Sequence, residues 1–591
     1  MKNQTIFLKR LIPIILGICL TSATACGESH QHTFDCKIES QDYLSAEATC
    51  TEAAKYYYSC QCGQVGTETF SVGEQLYHDY SQEKIAKEYL KDPATCQSPA
   101  VYYKSCIRCG KSVSLSSQTF TAEGVGEHAF TESVPDWKYI YAEATKETSA
   151  VYYKSCAYCG ERGTETFSYG DTLKEYTEEE KKDFTPVSLT ISLYDTAESV
   201  YGFTYNTTKE PLRPVIQIQK GSSLTTEYEE FAATSTLAHS YDANDKVISY
   251  YVVKAEVDLE PSTTYTYRVY DKYVDVGTEA VTWQTENTAS TSFSFAHVSD
   301  TQSVPSSGKN FGNVLEQVVG ERDFVLHTGD VVEYSKYEYE WTDMLHGNFA
   351  YLSKIPMMAL SGNHDTTYKS GSQELFKHFN NAIPQQDSID KGYYYSFIYG
   401  NAKFIMLNTN VTSAALEGKQ YDWLIEELEN NTCDWTFVAL HCPLYSVGQW
   451  GADSSKNGQS LALRAQLQGV FAKYGVDVVL QGHDHLLSKT HALDGNGAAV
   501  DETFETIGDV KYSVDPNGVI YVMNGAVGTQ TKSVISGADD SSIYDYASNA
   551  KVCSWADFII EGNTLTVEAK YCTDTSVYTY QTWGITKSKI Q

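Results

Sequence analysis

The chain has 591 residues, a formal net charge of −32 at pH 7, 46 tyrosines and 15 cysteines. That length accommodates several domains. So acidic a balance excludes extended nucleic acid as a partner, because gripping a polyphosphate needs an excess of Lys and Arg, and an anionic substrate must be drawn in by charge confined to a site.

At the amino terminus Lys2, Lys9 and Arg10 precede the apolar stretch Leu11–Leu20, then Ala23-Thr24-Ala25 and Cys26. A basic start, a short apolar run and small residues make a secretory signal over residues 1–25, too short to span a bilayer. Cleavage after Ala25 exposes Cys26, the position that lipoprotein processing acylates. The mature chain is therefore expected outside the cell, either secreted or attached to the membrane surface through a lipid on Cys26. No other apolar segment is long enough to span a bilayer.

Residues 32–176 are repetitive, with units opening at His32-Thr33-Phe34, His78-Asp79-Tyr80 and His128-Ala129-Phe130, periods of 46 and 50 residues. Each unit runs through an Ala-Thr element, a tyrosine-rich strand and a Ser-Cys pair followed by Gly. Read within units, unit one offers His32, Cys50, Cys60 and Cys62, and unit two offers His78, Cys96, Cys106 and Cys109. Unit three keeps Cys156 and Cys159, with Lys146 where a third cysteine would stand. One His with three Cys is a structural zinc set, and modules this small usually need a staple. Disulfides are the rival staple outside the cell. The close Cys60-Gln61-Cys62 spacing favours metal, and the ligand missing from unit three argues against it.

The charged stretch 178–183 reads as a polar linker. From about Pro186 to Glu286 short strands rich in Val, Tyr and Thr come one after another without a helix: Val187–Leu193, Val200–Tyr205, Pro214–Gln219, Val247–Val257 and Thr264–Tyr270. Regular short strands with turn signals predict an antiparallel β-sandwich, here bounded at 185–288.

The most informative stretch, residues 290–535, alternates apolar strands with helical spacing. Predicted strands are Phe293–Val298, Phe324–His327, Pro356–Leu360, Thr436–Leu440 and Val476–Leu480, and predicted helices are Asn313–Gly320, Gln420–Leu428 and Leu461–Tyr474. Each strand is followed at once by candidate metal ligands: Asp300-Thr301-Gln302, Gly329-Asp330, Gly362-Asn363-His364-Asp365, His441-Cys442-Pro443 and Gly482-His483-Asp484-His485. In an α/β layered core, loops at the carboxyl ends of strands lie on one rim, where ligands bind. Imidazoles, carboxylates and amide oxygens suit Fe, Zn or Mn. Two such cations about 3.5–4 Å apart clamp the attacking and leaving oxygens of a displacement at phosphorus. Holding them that close needs a bridging anion, a role for Asp330. No Gly-x-Ser-x-Gly elbow or phosphate-binding Gly-x-x-x-x-Gly-Lys loop competes with this reading. His297, His327, His346, His378 and His491 fit none of the motifs; His297 and His327, inside apolar strands, read as satisfied core imidazoles.

This motif series resembles the metallophosphoesterase (calcineurin-like) superfamily over roughly residues 290–530, and the domain order resembles its purple acid phosphatase-like branch. The resemblance implies an α/β four-layer (αββα) metallophosphoesterase sandwich. The segment Leu259-Glu260-Pro261 to Tyr265-Thr266-Tyr267-Arg268 is similar to a corner of fibronectin type III-like domains, which precede the catalytic domain in that branch. The resemblance further implies that one metal takes Asp300, Asp330 and His485, with Gln302 where many members have His. The second takes Asp330, Asn363, His441 and His483. His364 is implied to contact the phosphoryl group or protonate the leaving oxygen, with Asp365 orienting it. Purple members carry a tyrosine three residues after the bridging aspartate. Here that residue is Glu333, with Tyr334 one further on, so no purple charge-transfer band is expected. Glu333 reads equally as a replacement carboxylate or as a solvated loop residue. The amino-terminal repeats resemble those of bacterial cell-surface proteins, which implies a spacer or attachment role.

Residues 536–591 read as a β-rich tail packing on the catalytic domain. Cys553 with Cys572, and Cys433 with Cys442, are two candidate disulfides whose pairing spacing alone does not decide.

The sequence thus predicts an exported phosphoesterase in which metal-bound hydroxide attacks a small phosphate ester, acid phosphatase-like. The alternatives are a phosphodiesterase or nucleotidase with the same centre, or a non-catalytic cell-surface binding protein whose metal site has decayed. The loops 366–371 and 445–458, with Trp450 in the second, would choose the substrate.

Overall fold

The computed structural model describes residues 31–112, 118–195, 199–302, 305–366, 374–382, 394–410, 415–416, 418–530, 532–549, 553–573 and 576–588. The predicted signal, Cys26 and most of the loop 366–371 lie outside these. Two compact units emerge, Met1–Asp171 and Thr172–Gln591. Among the described residues no helix is long and apolar enough to cross a membrane.

In the first unit each repeat is a three-stranded antiparallel sheet in chain order. The strands are Leu44–Ala46, Ala54–Ser59 and Val65–Val72; then Leu90–Asp92, Pro99–Tyr103 and Thr119–Val125; then Ile140–Ala142, Ala150–Ser155 and Arg162–Tyr169. A short 3-10 turn enters each sheet, and its last residue is Tyr43, Tyr89 or Tyr139. The hydroxyl of that tyrosine donates to the carbonyl of Gly63, Gly110 or Gly160. These glycines close the cysteine turns at φ of 92°, 73° and 71°, a region closed to most side chains. The opening histidines stack on Phe34, Tyr80 and Phe130. Only a few side chains per repeat are buried, such as Cys50, Cys60 and Phe70 in the first, too small a core to hold the module alone.

The within-repeat grouping of the cysteines is not what forms. Cys50 of the first repeat gathers with His78, Cys106 and Cys109 of the second, and Cys96 of the second with His128, Cys156 and Cys159 of the third. His32, Cys60 and Cys62 form a separate cluster of three. The reason is topological. Cys50 and Cys96 sit in the turn after the first strand of their sheets, away from their own cysteine knuckle and beside that of the next repeat.

The second unit begins not with an irregular linker but with a helical turn, Glu178–Lys181, capped reciprocally by Thr177 and Glu180. Two antiparallel sheets come next. One orders Val187–Asp195, Val200–Thr207, Val247–Asp258 and Thr234–Tyr241. The other orders Glu229–Ala232, Pro214–Lys220, Thr264–Asp271 and Val276–Gly277, with Val281–Gln284 also paired to Thr264–Asp271. The five predicted strands all appear; the short ones at 229–232, 276–277 and 281–284 were too brief to stand out, and Thr234–Tyr241 alternates without a strongly apolar face.

This β-rich part is fused to residues 292–588. Asn206 donates to Glu338, and the Thr190 and Tyr267 hydroxyls donate to the carbonyls of His378 and Ser353. Lys254 donates to the carbonyls of Phe376 and Phe379. A Cβ at Gly202 would lie 2.1 Å from the Asn380 carbonyl oxygen, so only glycine permits that approach.

The remainder is built on two larger sheets. One has the order Met357–Ala359, Phe324–His327, Ser292–Val298, Ser554–Glu561, Thr564–Cys572, Val577–Thr586, Val510–Val514 and Thr503–Ile507. The other has the order Tyr395–Tyr399, Ala402–Met406, Trp435–Leu440, Val478–Gln481, Ile520–Asn524, Leu487–Thr490 and Tyr544–Ser548. Strands Ala402–Met406, Trp435–Leu440, Val478–Gln481 and Ile520–Asn524 are parallel, as are Ser292–Val298, Phe324–His327 and Met357–Ala359. Alternate residues of the second sheet enter two cores. Phe404, Phe437, Val478 and Leu480 pack with Phe295 and Phe558 of the first sheet. Ile405, Val438 and Val479 face Leu424 and Leu428 of helix Lys419–Glu429 and Leu463, Leu467 and Phe471 of helix Gly458–Lys473. Helix Pro305–Val318 buries Phe311, Val314 and Leu315 against the first sheet's core.

The tail from 536 does more than pack on this body. Ser554–Glu561 pairs antiparallel with Ser292–Val298 in the middle of the first sheet, and Tyr544–Ser548 edges the second. Cys553 and Cys572 form a disulfide with Cα atoms 5.4 Å apart. Cys433 and Cys442 are free thiols. They flank the extended strand Trp435–Leu440, whose six residues span roughly 20 Å, too far for a bridge.

Candidate metal centre

The parallel strands deliver their ligands to one rim, through backbone that side chains normally avoid. Asp300, Asp330, His483 and His485 all have left-handed φ, of 52°, 56°, 74° and 51°. Each such residue costs on the order of 1–3 kcal/mol unless its surroundings over-determine it, and such strain concentrates at functional sites. Here the surroundings do so. A Cβ at Gly362 would meet the Asp330 amide nitrogen and carboxylate, and one at Gly482 would meet Ser299 and Asp300.

Asp330 stands at the middle. Its Oδ2 is 3.2 Å from His441 Nε2 and accepts from Gln302 Nε2 at 2.9 Å, while its Oδ1 accepts the His364 backbone N–H at 2.8 Å. His441 Nε2 also lies 3.1 Å from Asn363 Oδ1 and 3.1 Å from His483 Nδ1. On the other side His485 Nε2 is 3.1 Å from Asp300 Oδ1, and the Asp300 carboxylate accepts the His483 N–H. All seven predicted ligands therefore come together, as one contiguous group. All but Asn363 and His483 are essentially removed from solvent.

The charges are mutually supporting. Burial opposes ionisation of Asp300, but the neighbouring His485 holds its carboxyl well below the ordinary range. Asp330 is likewise held down by His441 against the penalty of burial. Burial alone would lower His441, yet Asp330 raises it to about 9. His483 is pushed well below its ordinary value by burial and by His441.

These residues suit a pair of cations. His441 Nδ1 donates to the Thr328 carbonyl and His485 Nδ1 to that of Gln530, both at 2.8 Å, which turns each Nε2 toward the centre, where a cation could take the place of its proton. His441 Nε2 and His483 Nδ1 confront each other at 3.1 Å, an arrangement that calls for positive charge between them. Gln302 Oε1 is buried without a hydrogen-bond partner, so an oxygen is spare at this position.

Two roles differ from the sequence expectation. Asp365 does not orient His364. Its carboxylate accepts the N–H groups of Gly362, Asp330, Val331 and Val332 at 2.7–3.3 Å and so fixes the loop that carries Asp330. Burial and the Asp330 charge raise its carboxyl to about 7. His364 is instead held through Nδ1–H to the Glu333 carbonyl at 2.8 Å, with the Glu333 carboxylate 3.6 Å from the same nitrogen. That carboxylate also accepts from Gln530 Nε2, so Glu333 braces His364 at the rim. Tyr334 is 55% exposed, with its ring beside Tyr337. Metal-loaded protein is accordingly expected to lack a tyrosinate charge-transfer band in its visible spectrum.

Three contributors have no role assigned by the sequence motifs: Gln530 and Lys532 lie outside them, and Asp484 lies inside the last one. Gln530 acts partly through its backbone carbonyl, which has no side-chain signature. Lys532 Nζ donates to the His483 carbonyl at 2.6 Å and brings a cation to the rim. Asp484 accepts from Ser446 Oγ and the Trp450 N–H, pinning the loop that lays Trp450 against the His483 ring at 4.8 Å. Beside Glu333 and Gln530 opens a cleft of about 700 Å³, walled by Tyr334, Tyr339 and Asp343. His297 and His327 are neutral core imidazoles, bonded to Thr328 and Asn524 and to Thr301 and the Gly329 N–H; burial lowers them to about 3 and about 4.

Residues 293–487 match the family described as calcineurin-like phosphoesterase. Purple acid phosphatase 23 of Arabidopsis thaliana is 28% identical over 199 residues, covering 32% of this chain and 37% of the relative. Purple acid phosphatase 15 of the same plant is 25% identical over 194 residues, 32% of each chain. A probable inactive purple acid phosphatase 27, also from Arabidopsis, is 26% identical over 254 residues, 40% of each. The chain thus spans about a third of the length of the first two relatives. In fold, it is similar to the purple acid phosphatase PPD1 from yellow lupin seeds, with a TM-score of 0.57 at 16% identity over 68% of this chain and 74% of that one.

Proposed function

We propose, from the premise that residues 293–487 form a calcineurin-like phosphoesterase domain of the purple acid phosphatase-like branch, that the protein is an exported dinuclear-metal phosphoesterase acting on small phosphate esters. The two large packed sheets with helices against them are read as its αββα sandwich, and the preceding β-rich part as its fibronectin type III-like partner. The observation that carries the reading is Asp330, whose carboxylate lies 3.2 Å from His441 and 2.9 Å from Gln302 between two groups of ligand atoms.

A cation pair held there supplies an acidified water for in-line attack and positive charge for the phosphoryl oxygens. The chain's own residues do the rest. His364, held through Nδ1–H by the Glu333 carbonyl with the Glu333 carboxylate beside it, presents Nε2 at the half-open rim, where the imidazolium form can donate to the phosphoryl group or give its Nε2 proton to the leaving oxygen. Asp365 keeps the Asp330 loop rigid, and Lys532 adds charge beside the site. The cleft past Glu333 is large enough for a leaving group, and its acidic wall disfavours polyanionic ones.

A second reading has a specific observation behind it: Gln302 stands where an imidazole is usual, and one similar protein is described as probably inactive. The site would then be a relic on a surface-binding protein. Purified protein assayed for metal and for turnover of p-nitrophenyl phosphate and its bis ester, with and without chelator, separates these. Chelator-sensitive turnover supports the phosphoesterase, and the preferred ester assigns mono- or diesterase. An empty centre without turnover supports the relic.

A further inference from the structure

The amino-terminal cysteines form sites independent of the catalytic centre. In the cluster formed by Cys50, His78, Cys106 and Cys109, every ligand atom lies within 4.8 Å of every other. Cys50 Sγ and Cys106 Sγ are 3.6 Å apart, and Cys109 Sγ and His78 Nδ1 are 3.3 Å apart. The cluster of Cys96, His128, Cys156 and Cys159 repeats this geometry, at 3.6 Å for Cys96 with Cys156 and 3.3 Å for Cys159 with His128 Nδ1. A tetrahedral zinc with Zn–S of about 2.3 Å and Zn–N of about 2.0–2.1 Å places its sulfurs roughly 3.8 Å apart and sulfur and nitrogen roughly 3.5 Å apart. The observed separations are those of such a tetrahedron's edges, not of a covalent S–S bond.

We propose that these are two structural zinc sites, each shared between consecutive repeats, so that the metal staples repeat to repeat rather than closing each repeat on itself. One thiolate comes from the turn after the first strand of the earlier repeat; the histidine and the cysteine knuckle come from the later one. Supporting groups are in place. His128 Nε2 lies 3.1 Å from the Glu161 carboxylate, which leaves Nδ1 to face the sulfurs. Backbone N–H groups of Cys109 and Arg108 point at the Cys106 sulfur, and those of Tyr158 and Cys159 at the Cys156 sulfur.

The shared register also accounts for Lys146. It occupies the position of Cys50 and Cys96 in the third repeat, and that position serves only a following repeat. The chain turns instead into helix Glu178–Lys181 and the β-sandwich, and no further Cys-x-x-Cys occurs beyond Cys159. A lost ligand within the third repeat, the objection to zinc from sequence, is thereby the end of a series. Core size points the same way, since modules with so few buried side chains usually depend on a metal or disulfide staple.

The test uses the full chain, zinc analysis, and mass-spectrometric mapping of thiol alkylation. Wild-type protein is expected to protect the six cysteine ligands of the two clusters until chelator is added. In Cys96→Ser, zinc content should fall by about one ion per chain, with Cys156 and Cys159 becoming reactive while Cys106 and Cys109 stay protected. Exposure of Cys106 and Cys109 in that variant, with Cys156 and Cys159 unaffected, would restore the within-repeat arrangement and overturn the proposal. So would protection that resists chelator and yields only to reductant, the signature of Cys50–Cys106 and Cys96–Cys156 disulfides. Cys50→Ser provides the second arm, expected to release Cys106 and Cys109 but not Cys60 and Cys62. Phosphoesterase turnover should be unchanged in both variants, so failure of the catalytic reading would leave this test intact.

Discussion

Asp330→Asn is expected to abolish phosphoesterase turnover while leaving the fold intact. The carboxylate touches both halves of the centre through Oδ2, at His441 and Gln302, and its Oδ1 accepts the His364 N–H. An amide of the same shape carries no charge and turns one acceptor into a donor, which then confronts His441 Nε2 and the Gln302 amide or the His364 N–H. Bridging charge contributes several kcal/mol to a displacement at phosphorus, which at 1.36 kcal/mol per decade is a loss of about 1000-fold or more. The loop itself should survive, because its backbone is held by Asp365 through the three N–H groups of Asp330, Val331 and Val332 and not by the Asp330 side chain. The expected result is therefore loss of turnover and of metal with an unchanged circular dichroism spectrum. Wild-type turnover in this variant would refute the assignment.

His364→Ala is expected to have the next largest effect, with the opposite metal signature. Its ring is held at the rim by the Glu333 carbonyl, and among the described residues its hydrogen bond and ion pair go to Glu333 rather than to Asp300, His441, His483 or His485. Positioned proton transfer of this kind contributes typically 10²–10⁴-fold. Turnover should fall within that range while metal content stays near wild type. The loss should be greatest for esters with poor leaving groups, which need the proton most, and smallest for p-nitrophenyl esters, whose leaving oxygen needs little help. Loss of metal in this variant would contradict a role outside the ligand set.

Much of the catalytic region was legible because two signals coincide there. Apolar strands buried on both faces read as continuous runs, and each ends on a short polar motif, so Phe293–Val298 followed by Asp300, or Thr436–Leu440 followed by His441, marks both the strand and its functional end. The left-handed backbone at Asp300, Asp330, His483 and His485 was not legible, since local preference disfavours it and only tertiary contacts such as those at Gly362 and Gly482 impose it. The role of Asp365 was hidden for a related reason. Its neighbour in sequence is His364, but the donors it satisfies include amides some 30 residues away, brought close by adjacent parallel strands. The tail was underestimated because pairing of Ser554–Glu561 with Ser292–Val298 spans most of the domain, and strand order leaves no local trace. In the repeats, periodicity identified the ligand types but not their partners. A period shows which positions are equivalent, not whether equivalent positions bond within a unit or between units.

Two cations gathered around Asp330 are the foundation of the proposed chemistry. Crystals of the wild-type chain soaked in manganese and measured at the manganese absorption edge test this directly. Two anomalous peaks are expected about 3.5–4 Å apart, one nearer Asp300 and His485, the other nearer His441 and His483, with the Asp330 carboxylate between them. A single peak, or peaks remote from Asp330 in an otherwise well-ordered site, would contradict it.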